Sequence, residues 1–178
     1  MTFAATVAFG QKESIPLTNV IDNQPVVLNN FTKAKAVVVI FSSNVCAYDA
    51  YYTERLRSLF ATYASAVQFL LVNANQEADE SPEKMKLKAE SWLLGVPYLA
   101  DKDQKWMKEF GARKTPEVFV LDPGSNFAVV YAGAIDDNPQ LANGVKETYL
   151  KTAIDWVISG ERVTNPNTRA VGCTMRSK

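Results

Sequence analysis

The stretch Ala36–Phe41, AVVVIF, constrains the fold more than any other part of the chain. It is apolar throughout and mostly β-branched. A strand with one wet face alternates polar and apolar residues, so an unbroken run predicts a strand buried on both faces. A sheet is buried on both faces only where helices cover it, which points to the α/β class. The following residues agree. Tyr48, Tyr52, Leu56, Leu59, Phe60 and Tyr63 recur at helical spacing across 46–63, with Arg55 and Arg57 on other faces. Val67–Val72 then reads as a second buried strand.

Elsewhere the pattern is less forceful but consistent. IPLTNVIDNQPVVLNNF reads as a hairpin turning at Asp22-Asn23-Gln24, with Pro25 favouring a sheet edge. Ser81-Pro82-Glu83 starts a helix ending near Gly95: an N-cap hydroxyl, a proline and an early acid. Asp101 caps a short helix through Phe110, closed by Gly111. Glu117–Asp122 and Phe127–Gly133 are strands joined at Pro123-Gly124-Ser125-Asn126, and Val145–Ile158 is a last amphipathic helix stopped by Gly160. A β-α-β opening and a β-β-α ending predict a mixed sheet of four or five core strands with helices on both faces. Three segments result: 1–13, a folded domain at 14–160, and a polar tail at 161–178 carrying Cys173.

Composition narrows function mostly by exclusion. At 178 residues, 47% hydrophobic and 21% charged, the chain suits one domain with a real core. Its zero formal net charge calls for neither nucleic acid nor an anionic membrane, and no apolar run is long enough to cross a bilayer. There is no histidine, which removes Ser-His-Asp and Cys-His catalysis and His-ligated metal. The small, apolar start MTFAATVAFGQKE, with a small-x-small step at Ala8-Phe9-Gly10, resembles the end of a secretory signal without its basic region. Export, for instance to the periplasm, is therefore expected ahead of a cytoplasmic location.

The two cysteines, Cys46 and Cys173, allow a single bridge and leave open whether they meet. Cys46 falls where the first core strand passes into a helix. A thiol there faces unpaired main-chain N–H groups and the positive end of the helix dipole, which favour the reactive thiolate. Ser43 is placed to cap the helix or donate to the sulfur, and Asn44 to donate from its side chain. The competing reading is a small apolar filler, since free cysteine is among the most buried residue types. Thr115-Pro116 precedes the third buried strand. A cis proline there leaves main-chain groups free to dock an extended substrate, whereas a trans proline would only end the preceding helix.

FSSNVCAYDAYYTERL, FLLVNANQ, PYLADKDQKWMKEFGARKTPEVFVLD, YAGAIDDN, YLKTAIDWVISGE and TRAVGCTM, in this order, resemble the redoxin branch of the thioredoxin superfamily. This is the alkyl hydroperoxide reductase/thiol-specific antioxidant group. The resemblance implies a thioredoxin fold with the N-terminal hairpin as an extension. Cys46 takes the second cysteine position of the family's C-x-x-C, and Ser43 stands at the first. Peroxiredoxins likewise carry Thr or Ser three residues before their reactive cysteine. Their proline seven positions before it is Val39 here. Thr115-Pro116 matches the family's cis-proline, and Arg113 is a nearby cation favouring thiolate. Cys173 would be a resolving thiol, or else half of a static bridge.

The resemblance implies a thiol oxidoreductase acting on peroxides or protein disulfides. It would need no cofactor and draw electrons from a thiol protein, with Cys46, Cys173, Ser43 and Pro116 catalytic and Asn44, Thr115 and Arg113 contacting substrate. The rival is a non-enzymatic binding module stapled by Cys46–Cys173. Oligomeric state is not legible. Asp136-Asp137-Asn138 and the acidic run Glu77–Glu83 read as solvated turns, Glu54 as a surface residue, and Trp92, Trp106 and Trp156 as core anchors.

Overall fold

The computed structural model describes residues 14–92 and 95–178; the expectations for 1–13 lie outside the described residues. Its strands are β1 (Leu17–Asn19), β2 (Pro25–Val26), β3 (Ala36–Phe41), β4 (Val67–Asn73), β5 (Tyr98–Ala100), β6 (Lys114–Thr115), β7 (Glu117–Asp122), β8 (Ala128–Gly133) and β9 (Cys173–Thr174). Its α-helices are α1 (Ala47–Tyr63), α2 (Pro82–Ser91), α3 (Lys105–Phe110) and α4 (Tyr149–Ser159).

The main sheet has the order β2-β1-β5-β4-β3-β7-β8. β3 pairs parallel with β4, β4 parallel with β5, and β7 antiparallel with both β3 and β8. β3 is buried at every position, as its unbroken apolar run requires. The pleat divides its side chains between two cores. Ala36, Val38 and Ile40 face the layer built with Tyr52, Leu56 and Phe60 of α1, Met85 of α2, and Leu150 and Ile154 of α4. Val37, Val39 and Phe41 face the layer holding Leu28, Trp106 and Met107.

Seven strands share this sheet because the N-terminal hairpin does not stand apart. β1 pairs antiparallel with β5 (Thr18↔Ala100, Asn19↔Leu99), and β2 closes the edge, Pro25 opposite Thr18. β5 is only three residues long, too short to leave a periodic signal. The Asp101 carboxylate accepts from the main-chain N–H groups of Lys105 (2.7 Å) and Met107 (2.8 Å), holding the start of α3. α4 begins at Tyr149 rather than Val145, because the Lys146 and Glu147 N–H groups bind the Asp137 carboxylate (2.9 and 3.1 Å).

Two expectations need correction. Asp136 is buried, ion-paired to Arg55 at 2.5 Å and accepting from the Tyr52 hydroxyl at 2.8 Å, so it is no solvated turn residue. Glu80, within the acidic run, is buried as well. Glu54 pairs with Arg57 at the surface (2.9 Å), Trp106 is fully buried, and Trp92 and Trp156 pack against the core.

Candidate active site

Cys46 is the N-cap of α1, in extended conformation (φ −71°, ψ 124°). The turn that places it is made by Ser43. The Ser43 hydroxyl oxygen accepts from the main-chain N–H groups of Val45 (3.2 Å) and Cys46 (3.1 Å), bending the chain from strand into helix. The Ser43 proton goes to the Glu80 carboxylate rather than to the sulfur. Asn44 is held away too: its amide donates to the Asp79 carbonyl (2.8 Å) and its side-chain oxygen accepts from the Tyr98 hydroxyl (3.1 Å).

The Cys46 side chain makes no hydrogen bond to the helix N-terminus, contrary to the expectation of converging N–H groups. Its sulfur turns toward β6 and lies 3.3 Å from the Thr115 carbonyl oxygen. There it is bonded to Cys173, with an S–S distance of 1.98 Å and a Cα–Cα distance of 6.0 Å. Cys46 is 4% exposed, and Cys173 is the more open of the two. The Thr115-Pro116 peptide is cis, and the Thr115 hydroxyl is buried without a hydrogen-bond partner.

The tail brings Cys173 to this point. After α4 it runs beside β8, where the Ala132 N–H donates to the Pro166 carbonyl (2.9 Å) and the Thr168 N–H to the Ala132 carbonyl (3.0 Å). It then crosses to β6 and pairs antiparallel, Thr115↔Cys173 and Lys114↔Thr174. Arg113 contributes its carbonyl, which accepts from the Met175 N–H at 3.0 Å; its side chain is exposed. Gln104 fastens the end, donating to the Arg176 carbonyl and accepting from the Lys178 N–H, each at 2.7 Å. A cavity of about 240 Å³ opens beside Pro116, lined by Tyr52, Asp136, Tyr149, Arg169 and Val171 among others.

Behind the Cys46 turn lies a buried polar network. Glu80 accepts from Ser43, from the Asn44 N–H (2.7 Å) and from the Asn73 amide (2.7 Å). The Lys88 ammonium donates to the Ser43 carbonyl and sits 3.8 Å from the centre of the Trp92 ring. Asp49, one helical turn past Cys46, is 2% exposed, and its Oδ2 has no hydrogen-bond partner. Burial pushes the Asp49 carboxyl up to about 7 against the opposing pull of the Lys88 charge. Burial likewise brings the Lys88 ammonium down to about 8, opposed by Asp49 and Glu80. Sequence reasoning missed Asp49, Asn73 and Lys88, and read Glu80 only as part of a solvated run. Asp49 alone carried a signal: it lies in register with the apolar stripe Tyr52, Leu56, Phe60 and Tyr63, where a charge is out of place.

The bonded sulfurs sit where a strand, a helix start and a third main-chain segment meet, an arrangement that fits a redox-active pair. Among the described residues, no cluster of carboxylates and cysteines could hold a metal ion, and no helix is long and apolar enough to cross a membrane.

The sequence model of the AhpC/TSA family matches residues 11–130. The chain belongs to the AhpC/TSA family. No curated protein matches it. An uncharacterized conserved protein from Geobacillus kaustophilus is 32% identical over 94% of this chain and 91% of its own, with a TM-score of 0.82. A hypothetical protein from Sinorhizobium meliloti is 27% identical over 93% and 92%, with a TM-score of 0.83. The bacterioferritin comigratory protein of Xanthomonas campestris, which has alkyl peroxide reduction activity, is 14% identical over 83% and 90% with a TM-score of 0.59, a likeness of fold. The fold of this AhpC/TSA chain is thus thioredoxin-like.

Proposed function

We propose that the protein is a thiol-dependent oxidoreductase in which Cys46 reacts with a peroxide or a protein disulfide and Cys173 resolves the product. The observation carrying this reading is the Cys46–Cys173 bond at the start of α1, beside Thr115-Pro116. With a peroxide, the Cys46 thiolate attacks one oxygen and the alkoxide leaves and takes a proton. The resulting sulfenic acid condenses with the Cys173 thiol, releasing water. A donor thiol protein then reduces the bond by two successive exchanges, its own dithiol becoming a disulfide. The reaction needs no bound cofactor. Family membership and the peroxide activity of the Xanthomonas protein support the peroxide arm.

Reduced protein exposed to mild peroxide should lose both free thiols together, and Cys46→Ser should leave Cys173 unmodified. If Cys46 stays unmodified in a folded protein, the reading fails.

A second reading rests on the same bond. A bridge across 127 residues stabilises a fold by about 5 kcal/mol in the chain-entropy model, and Cys46 is sealed by the tail. A stapled binding module would show no peroxide consumption above that of free cysteine. An oxidising, extracytoplasmic compartment suits a bonded pair; recovery of the native protein only from the cytoplasmic fraction would contradict that placement.

A further inference from the structure

The tail occupies the Lys114–Thr115 main-chain edge, where an extended protein substrate would dock. Its hold there is specific at each position of Gly172-Cys173-Thr174-Met175. At Gly172, an added β-carbon would lie 2.1 Å from the Thr115 carbonyl oxygen, 2.7 Å from its carbon and 3.1 Å from the Pro116 nitrogen. These are main-chain atoms flanking the Cys46 sulfur, and they cannot swing aside. Cys173 supplies the sulfur. Thr174 points outward, its hydroxyl accepting from the Lys114 ammonium at 2.7 Å. Met175 is buried in the core layer that also holds Trp106 and Ala112. Val45, just before Cys46, and Val171, just before Gly172, are both exposed.

We infer that the Lys114–Thr115 edge is a strand-addition site for an extended Gly-Cys-x-apolar segment of a partner protein, and that the tail is its tethered internal occupant. This deepens the oxidoreductase reading and rests on it. The Gly position is a steric filter, the apolar position an anchor two residues beyond the sulfur, and tail and partner exclude each other. In the exchange, the reduced Cys46 thiolate attacks the partner's cysteine within a disulfide, and the partner's other sulfur leaves as a thiolate. The Cys173 thiolate then attacks the Cys46 sulfur, closing Cys46–Cys173 and releasing the partner's cysteine. Two electrons pass from the protein's dithiol to the partner's disulfide, and the released thiolates take protons from water.

The full chain carrying Cys173→Ser, reduced, is mixed with disulfide-linked dimers of peptides containing Gly-Cys-Thr-Met, Ala-Cys-Thr-Met or Gly-Cys-Thr-Asp. Mixed disulfide on Cys46 is read by mass spectrometry, with a small aromatic disulfide as a reactivity control that needs no edge. The Gly-Cys-Thr-Met peptide is expected to react at least tenfold faster than the other two. Equal rates for the three peptides with a reactive control overturn the filter and leave the oxidoreductase reading standing. Silence of Cys46 toward the control as well overturns both. Independently, Gly172→Ala in the otherwise native chain should shift closure of Cys46–Cys173 in a glutathione buffer at least tenfold toward the open form, with the reduced protein still folded by circular dichroism. Unaltered closure overturns the inference.

Discussion

Replacing Asp49 by Asn should change how stability depends on pH. The native carboxyl titrates near 7, against an ordinary value of 3.8, because burial disfavours its charge. Between these values the folded protein binds more protons at this site than the unfolded chain, so wild-type stability falls as pH rises from about 4 to 7. The gap, at about 1.4 kcal/mol per pH unit, integrates to roughly 4 kcal/mol. The groups facing Asp49 are the Lys88 ammonium, the Ser42 hydroxyl, the Ser43 main chain and the Glu80 carboxylate. Lys88 remains protonated below pH 7, so the window belongs to Asp49. Urea melts of the oxidised wild type and Asp49→Asn at pH 4, 5, 6, 7 and 8, followed by far-ultraviolet circular dichroism, measure the difference. It should move in the variant's favour by about 3–4 kcal/mol across the series, or roughly 6–16 °C in Tm for a chain of this size. A difference flat to within about 0.5 kcal/mol would refute the claim that burial holds this carboxyl neutral.

Glu80→Ala should cost about 3–5 kcal/mol, since it strands the buried hydrogen-bonding groups of Ser43, Asn44 and Asn73; chemical denaturation reads it, and a loss below about 1 kcal/mol contradicts the network. Thr115→Val removes a buried hydroxyl with no partner, so it should leave stability unchanged or raise it by about 1 kcal/mol in the same assay; a marked loss would mean the hydroxyl is satisfied. Arg55→Ala leaves Asp136 buried without its ion pair and should cost about 3–5 kcal/mol, whereas Arg55→Ala with Asp136→Ala should cost less than the two single changes together.

Much of the fold was legible because burial on two faces leaves an unmistakable run. The doubly buried β3, the β3-α1-β4 unit and the β7–β8 hairpin all follow from residue pattern. β5 and the docking of β1 on it depend on three residues, below the length at which periodicity speaks. At the site, position along the chain was enough to bring out Cys46, Ser43 and Thr115-Pro116, because strand ends and helix starts can be read locally. The meeting of Cys46 with Cys173 rested on resemblance, since contacts across 127 residues have no local signature. The polar network stayed hidden for a different reason. Glu80 stands among acids that are mostly solvated, and nothing in the run distinguishes the carboxylate that turns inward. The direction of the Ser43 hydroxyl is decided by this hidden carboxylate, and that of the Cys46 sulfur by its bond to Cys173.

The central claim is that Cys46 and Cys173 exchange electrons with other thiols rather than merely stapling the tail. It is tested most directly by equilibrating the native protein in graded mixtures of reduced and oxidised glutathione and counting free thiols at each step. The account predicts a reversible transition of both cysteines together at a potential well above about −300 mV, with the reduced protein still folded. A bond that stays closed across the whole series, or that opens only as the protein unfolds, would contradict it.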